Sequence, residues 1–257
     1  MSSSSSSIIF TPKTLILLIN TLLLLLLVQT CHGAANDNPP LFHFCSNTGN
    51  YTPYTPYESN LKILINSLIY KTPSTGFGQF QNQQAYGLAL CRGDASVGDC
   101  KTCVTDAAKE LRSLCPYNKG AMIWYDNCEV KYSDTDFFGQ VDNTNRFYLL
   151  NVQNVSDAAT FNYVVKELLS LLASKASEDP KLYASGDLKV GECERVYGLA
   201  QCTRDLSSVD CNNCLHDAIR QLPSCCHGKQ GVELLVEAAT SDMRSTHFSI
   251  KLRIVTF

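Results

Sequence analysis

The chain has 257 residues, is 45% hydrophobic and 18% charged, and carries a net charge of −3. That balance excludes the basic footprint of a nucleic-acid binder and the cationic face of a protein held on an anionic membrane. Its thirteen cysteines point instead to disulfide crosslinking in an oxidising compartment.

Residues Met1 to Thr14 are serine-rich with one Lys13. An apolar run follows from Leu15 to Val28, broken by Asn20 and Thr21, and small residues follow in "CHGAAN". This order predicts a signal peptide over 1–33, cleaved after Gly33 or Ala34. The run is short of the ~20 residues that span a bilayer, and no second run of that length follows. The mature chain is therefore expected to be soluble and secreted. Its 257 − 33 = 224 residues suit two domains of about 110 each, drawn at 38–142 and 148–257.

In the first domain "FHFCSNTGNYT" predicts a strand carrying Cys45. "YESNLKILINSLIYK" sets Leu61, Leu64, Ile65, Leu68 and Ile69 on one face of a helix, ended by Pro73 and Gly76. "STGFGQF" reads as a turn, and "QAYGLALC" as a strand reaching Cys91. "SVGDCKTCVTDAAKELRSLC" predicts a second helix with Val104, Ala107, Ala108 and Leu111 inward. "GAMIWYDNCEVKYSD" predicts a hairpin. Strand, helix, strand, helix and hairpin make an α+β unit with an antiparallel sheet.

The order then repeats. "NTNRF", Asn143 to Phe147, is the expected linker. "RFYLLNVQNVSD" predicts the opening strand and "AATFNYVVKELLSLLASKA" the long helix. "ERVYGLAQC" matches "QQAYGLALC", and "VDCNNCLHDAIRQL" matches the second helix. The spacing Cys-x8-Cys-x2-Cys occurs in both halves, as Cys91, Cys100, Cys103 and as Cys202, Cys211, Cys214. A duplicated cysteine frame of this kind marks a tandem repeat.

Cys100 and Cys103 stand three apart on a helix, so they share a face and each reaches a different partner. A zinc site needs four ligands at close spacing; here the two CxxC pairs lie in separate repeats, 211 − 100 = 111 residues apart. Redox chemistry at CxxC is the weaker reading in an oxidising compartment, so the cysteines are read as structural, with no metal and no cofactor. GxSxG and HExxH are absent. His32, His43, His216, His227 and His247 share no spacing, and His216 reads as a surface or half-buried side chain. No catalytic constellation supports an enzyme. Asn50 in "NYT" and Asn154 in "NVS" fit the glycosylation sequon.

The stretches "AYGLALCRGDASVGDCKTCV" and "VYGLAQCTRDLSSVDCNNCL…LPSCC" resemble the plant cysteine-rich repeat secretory proteins, which carry tandem ginkbilobin-homologous (salt stress response/antifungal) domains. The resemblance covers Leu41 to Gly231. It implies two helices on a five-stranded antiparallel sheet in each domain, disulfide-stapled. It also implies the pairs Cys45–Cys115, Cys91–Cys100 and Cys103–Cys128, with Cys202–Cys211 as the second domain's copy of Cys91–Cys100; spacing alone leaves fifteen pairings open. The partners of Cys193, Cys214, Cys225 and Cys226 stay open.

In the family's founding lectin, mannose is held by an Asn, an Arg and a Glu. The matching positions here are Ser46, Met122 and Ser133, all departures. In the second domain Leu150 stands at the first cysteine, which makes Asn151 the match to the Asn; Glu233 stands at the Arg and Ala239 at the last cysteine. The family's second domain ends in a pattern like "GGRVVGGSCNIRYEIYPF". Codons for that pattern, read one nucleotide late, give "VELLVEAATSDMRSTHF", the sequence from Val232 to Phe248. The tail from 232 is thus expected to be out of frame, the alternative being a genuine divergent tail, and the second domain to lack its last hairpin and the partner of Cys214. The resemblance implies a secreted, non-enzymatic apoplastic binding protein for a glycan or cell-wall ligand, in defence or stress. The alternative is an interaction module pairing with receptor-like kinase ectodomains or with itself.

Overall fold

In a computed structural model of the protein, residues 13, 39–46, 49–140, 145–190, 194–237 and 250–256 are described. The first half runs β1 (Phe42–Cys45), α1 (Pro56–Thr75), β2 (Phe77–Asn82), β3 (Ala85–Cys91), α2 (Val97–Leu114), β4 (Ala121–Trp124) and β5 (Cys128–Ser133). The second half runs β6 (Asn145–Leu150), α3 (Ala158–Glu178), β7 (Tyr183–Val190), β8 (Glu194–Cys202), α4 (Ser208–Cys226), β9 (Gly231–Glu237) and β10 (Ile250–Thr256). The signal segment 1–33 lies outside the described residues save residue 13, as does Cys193.

Each half forms a five-stranded antiparallel sheet. The strand orders are β1-β4-β5-β3-β2 and β6-β9-β10-β8-β7, the same topology twice. Two helices cover one face of each sheet. Leu61, Leu64 and Leu68 of α1 and Val104, Ala107 and Leu111 of α2 bury into the first core; Val165, Leu168 and Leu172 of α3 and Leu215, Ala218 and Ile219 of α4 build the second.

The repeated "YGLA" has a packing cause. A Cβ on Gly87 would sit 2.8 Å from Leu64 Cδ2, and one on Gly198 would sit 2.9 Å from Leu172 Cδ1. Only a bare backbone lets the long helix lie this close to the sheet. The eight residues between the first two cysteines of each frame are a turn and a capped helix start. Ser96 Oγ accepts from Asp99 N, and Ser207 Oγ from Asp210 N, both at 3.1 Å, which satisfies a first-turn amide. The acidic residue in that turn suits the positive helix end.

The structure corrects the sequence reading in three places. The turn in "STGFGQF" is confined to Gly76: Phe77–Asn82 is already edge strand β2, paired from Phe77↔Leu90 to Asn82↔Ala85, and β7 is its counterpart at the edge of the second sheet. The linker is shorter than 143–147, because residues from Asn145 already pair with β9. The second sheet does not lose its last strand pair. β10, from Ile250, pairs with β8 and β9 and takes the place that β5 holds in the first sheet. Position 239, named above as the place of the last cysteine, lies outside the described residues.

Candidate functional site

The disulfides fix the first half at three corners. Cys45–Cys115 ties β1 to the end of α2, Cys91–Cys100 ties β3 to the first turn of α2, and Cys103–Cys128 ties the next turn to β5. In the second half Cys202–Cys211 repeats the strand-to-helix bond, and Cys225–Cys226 joins neighbours at the end of α4. Cys214, in the place of Cys103, is 1% exposed within the second core.

The backbone gathers the three carried-over ligand positions of the first half. Cys45↔Ala121↔Tyr132 run in register across β1, β4 and β5, so residues 46, 122 and 133 lie beside this row on adjacent strands. Their chemistry does not converge. Met122 is fully buried and packs with Trp124, Leu41, Phe42 and Leu149. The Ser133 hydroxyl accepts from Thr135 N at 3.1 Å and is itself buried. Ser46 is held through its backbone, donating to the Gly120 carbonyl and accepting from Asn118 Nδ2. These positions lie on the sheet face opposite the helices, where Glu129 and Lys131 are also buried and Lys131 Nζ lies 4.6 Å from the Phe137 ring centroid.

That face is covered partly from the second half. Leu149 packs on Met122 and Trp124. Gln201 Nε2 donates to the Cys91 carbonyl at 3.0 Å, and Arg204 Nη1 donates to the Thr75 carbonyl at 2.8 Å. Lys181 Nζ donates to the Gly93 carbonyl at 3.2 Å, and Gly139 N donates to Asp205 Oδ2 at 2.8 Å. Burial holds the Arg204 guanidinium below its ordinary value and pushes the Tyr183 phenol up. The two halves belong to one compact unit, Pro40–Phe257. These junction residues were missed in the sequence. A signal existed: Gln201 in "YGLAQC" is polar where its counterpart Leu90 in "YGLALC" is apolar.

In the second half Asn151 follows β6 and is exposed. Its backbone N donates to the Gly231 carbonyl, and its Oδ1 accepts from Gln153 N at 3.0 Å. Glu233 pairs in register with Leu149 and with Arg253, so position 233 lies on the strand beside the one that Asn151 follows. Asn50 and Asn154 occupy matching places, each bridged to the loop after the second helix, at Asn118 and at Lys229. Both are exposed.

Three further tyrosines have raised phenols and stay protonated. Burial pushes the phenols of Tyr57 and Tyr132 up. Burial, and then a hydrogen bond to the Glu110 carboxylate, does the same to Tyr125. They serve as donors. Among the described residues no group of three His, Cys, Asp or Glu could hold a metal ion, and no helix is long and apolar enough to cross a membrane.

The profile of the salt stress response/antifungal family matches residues 44–135 and again 150–241. The chain is 55% identical over 202 residues to an antimicrobial ginkbilobin-2-like protein of Castanea crenata, covering 77% of this chain and 84% of that one. It is 49% identical over 211 residues to cysteine-rich repeat secretory protein 38 of Arabidopsis thaliana, covering 79% and 83%. Among solved structures it superimposes on the tandem DUF26 ectodomain of the Arabidopsis thaliana cysteine-rich receptor-like protein PDLP8. The TM-score is 0.70 at 25% identity, over 85% of this chain and 98% of that one.

Proposed function

Since the chain belongs to the salt stress response/antifungal family and is secreted, we propose that it is a non-enzymatic binding protein of the apoplast whose second half takes a carbohydrate or cell-wall ligand. The role that fits is defence or stress response. The observation that carries this reading is the contrast between the halves. In the first, the carried-over positions hold a buried Met122, a buried Ser133 and a backbone-held Ser46. In the second, Asn151 is exposed and its neighbour in the carried-over set is one strand away. A glycan array on the mature protein tests it. Binding to mannose-containing glycans is expected, with loss in N151A; specific binding that survives N151A would remove this site.

Asn50 and Asn154 carry N-linked sugar in this reading. Both are exposed and bridged into the same loop of their repeat. Enzymatic deglycosylation should lower the mass of the secreted protein by two glycans, and N50Q and N154Q by one each.

A second reading is an extracellular interaction module that pairs with receptor-like kinase ectodomains or with itself. The likeness to the ectodomains of two cysteine-rich receptor-like proteins favours it. An array without any specific glycan, together with a titratable complex with such an ectodomain, would move the conclusion here.

A further inference from the structure

The two halves differ most where their helix pairs meet the loop after the second helix. Equivalence is set by the bridges Asn50↔Asn118 and Asn154↔Lys229, and by Gly87 and Gly198 under Leu64/Leu68 and Leu168/Leu172. In the first half this end is closed by tyrosines. The rings of Tyr51 and Tyr57 lie 5.5 Å apart and those of Tyr51 and Tyr117 lie 5.9 Å apart. The counterparts in the second half are Val155, Phe161 and Gly228, so two of the three rings are gone.

A groove of about 230 Å³ opens there between α3 and α4. Its floor is apolar: Phe161, Val165, Ile219 and Leu222, all buried. Lys166 and Lys229 stand on its wall, and among the described residues neither takes part in an ion pair. Asn162 braces the mouth, accepting from Gly228 N at 3.2 Å and meeting His227 Nδ1 at 2.7 Å. Among the described residues no carboxylate lines the groove.

From this geometry we infer that the groove between α3 and α4 binds the aliphatic tail of a free single-chain carboxylic acid, with Lys166 and Lys229 holding the anionic head. The volume limits the guest. An apolar cavity of about 150 Å³ takes benzene, and drug-sized ligands need about 300 Å³ or more. An acyl chain of medium length suits the space between. Burial of its methylenes supplies the attraction, and two cations beside a low-dielectric floor select the sign of the head group. This site uses side chains other than that of Asn151, and it stands or falls without the carbohydrate site proposed there.

The test titrates native, glycosylated protein with decanoate, 1-decanol and decylamine, each below its aggregation limit, and follows the methyl resonances of Val165 and Ile219. N154Q is run alongside, because Asn154 is bridged to Lys229 at the rim. Decanoate is expected to shift those methyls and to bind at least about tenfold tighter than decylamine. K166E/K229E, which reverses both charges on the wall, should cost decanoate about tenfold and leave decanol unaltered. V155Y, which restores one ring of the first half, should block both. The inference is overturned if decanoate leaves the methyls unmoved in protein shown folded by circular dichroism. It is overturned equally if decylamine binds as well as decanoate, or if V155Y binds both ligands undiminished. Attachment to phosphatidylglycerol vesicles without binding of soluble decanoate would overturn it too. Glycan binding at Asn151 should be the same in K166E/K229E, so the two sites fail separately.

Discussion

Tyr57 shows how much one residue can hold. Its ring is buried in the first core beside Tyr51, and its hydroxyl donates to the Lys119 carbonyl at 2.5 Å, tying α1 to the loop after α2. Burial raises its pKa from the ordinary 10.0. A phenol raised in the folded state keeps its proton where the unfolded chain has released it. Its stabilisation is therefore whole below about pH 10 and is lost as pH climbs toward the folded value. The thermal midpoint should hold steady to about pH 9 and fall above about pH 10. Y57F should start lower, by about 1 kcal/mol for the lost hydrogen bond, and fall less steeply. Thermal melts across that range, with disulfides checked by mass, measure both; equal slopes for Y57F and the parent chain would refute the assignment. The apolar set around this residue was legible from helical spacing alone, since Leu61, Leu64, Ile65 and Leu68 recur at three and four. The hydroxyl's partner was not, because Lys119 is 62 residues away and no local pattern encodes that contact.

At the scale of elements, the repeated cysteine frame fixed which strand meets which helix, and its unequal completion separates the halves. Leu150 pairs with Val232 as Cys45 pairs with Ala121, so Leu150 stands where the first half starts the bond to the end of its second helix. Cys226, the counterpart of Cys115, is joined instead to Cys225. The double change L150C/C225S should let position 150 bond Cys226 across a loop of 226 − 150 = 76 residues. The first half's equivalent spans 70. Closing a loop of this length stabilises by about 4 kcal/mol in the chain-entropy picture. Chemical denaturation should show a gain of a few kcal/mol that vanishes on reduction; a gain that persists in reductant would have another source. The edge strands β2 and β7 were illegible by alternation, because "FGQFQN" breaks its apolar pattern with glycine and glutamine. The glycine is enforced from outside, since a Cβ at Gly78 would lie 2.3 Å from Thr72 Oγ1.

The tail also belongs to this scale. The one-base reading from Val232 anticipated a missing hairpin, yet β9 and β10 complete the sheet. A seven-residue strand beginning at Ile250 does so with an alternating "IKLRIVT". Backbone pairing is tolerant of sequence in a way that disulfides are not. A chain restored to the family frame would place a cysteine at 239, which is 239 − 214 = 25 residues beyond Cys214; Cys103 and Cys128 are 25 apart. That bond should raise stability by about 3 kcal/mol. Equal thermal midpoints for the two chains would show that β10 is a full replacement. Sequencing the transcript across codons 228 to 240 decides which form is made.

For the whole molecule, the sheet faces away from the helices decide whether it behaves as two domains or one body. In the first half that face holds Met122, Trp124, Leu88 and Leu90, all buried. An isolated half would expose this surface, and exposed apolar patches of such size drive association. The second half meets it with Leu149 and with donors from Gln201, Arg204 and Lys181 to backbone carbonyls. The bond from Gln201 to the Cys91 carbonyl is buried, so its loss leaves a buried acceptor unsatisfied, at about 1–3 kcal/mol, while the bonds from Arg204 and Lys181 are exposed. Trp124 is the chain's one tryptophan, and it sits beside Leu149, so its fluorescence reports this junction. In the parent protein its emission should be blue-shifted and should change in a single transition coincident with circular dichroism, because neither half can release the other without wetting that face. L149D puts a charge against Met122 and Trp124. It should shift the emission to the red below the main unfolding transition while the helical signal persists. Emission in L149D that stays blue until the helices melt would mean that Leu149 does not hold the halves together and that the polar bridges suffice.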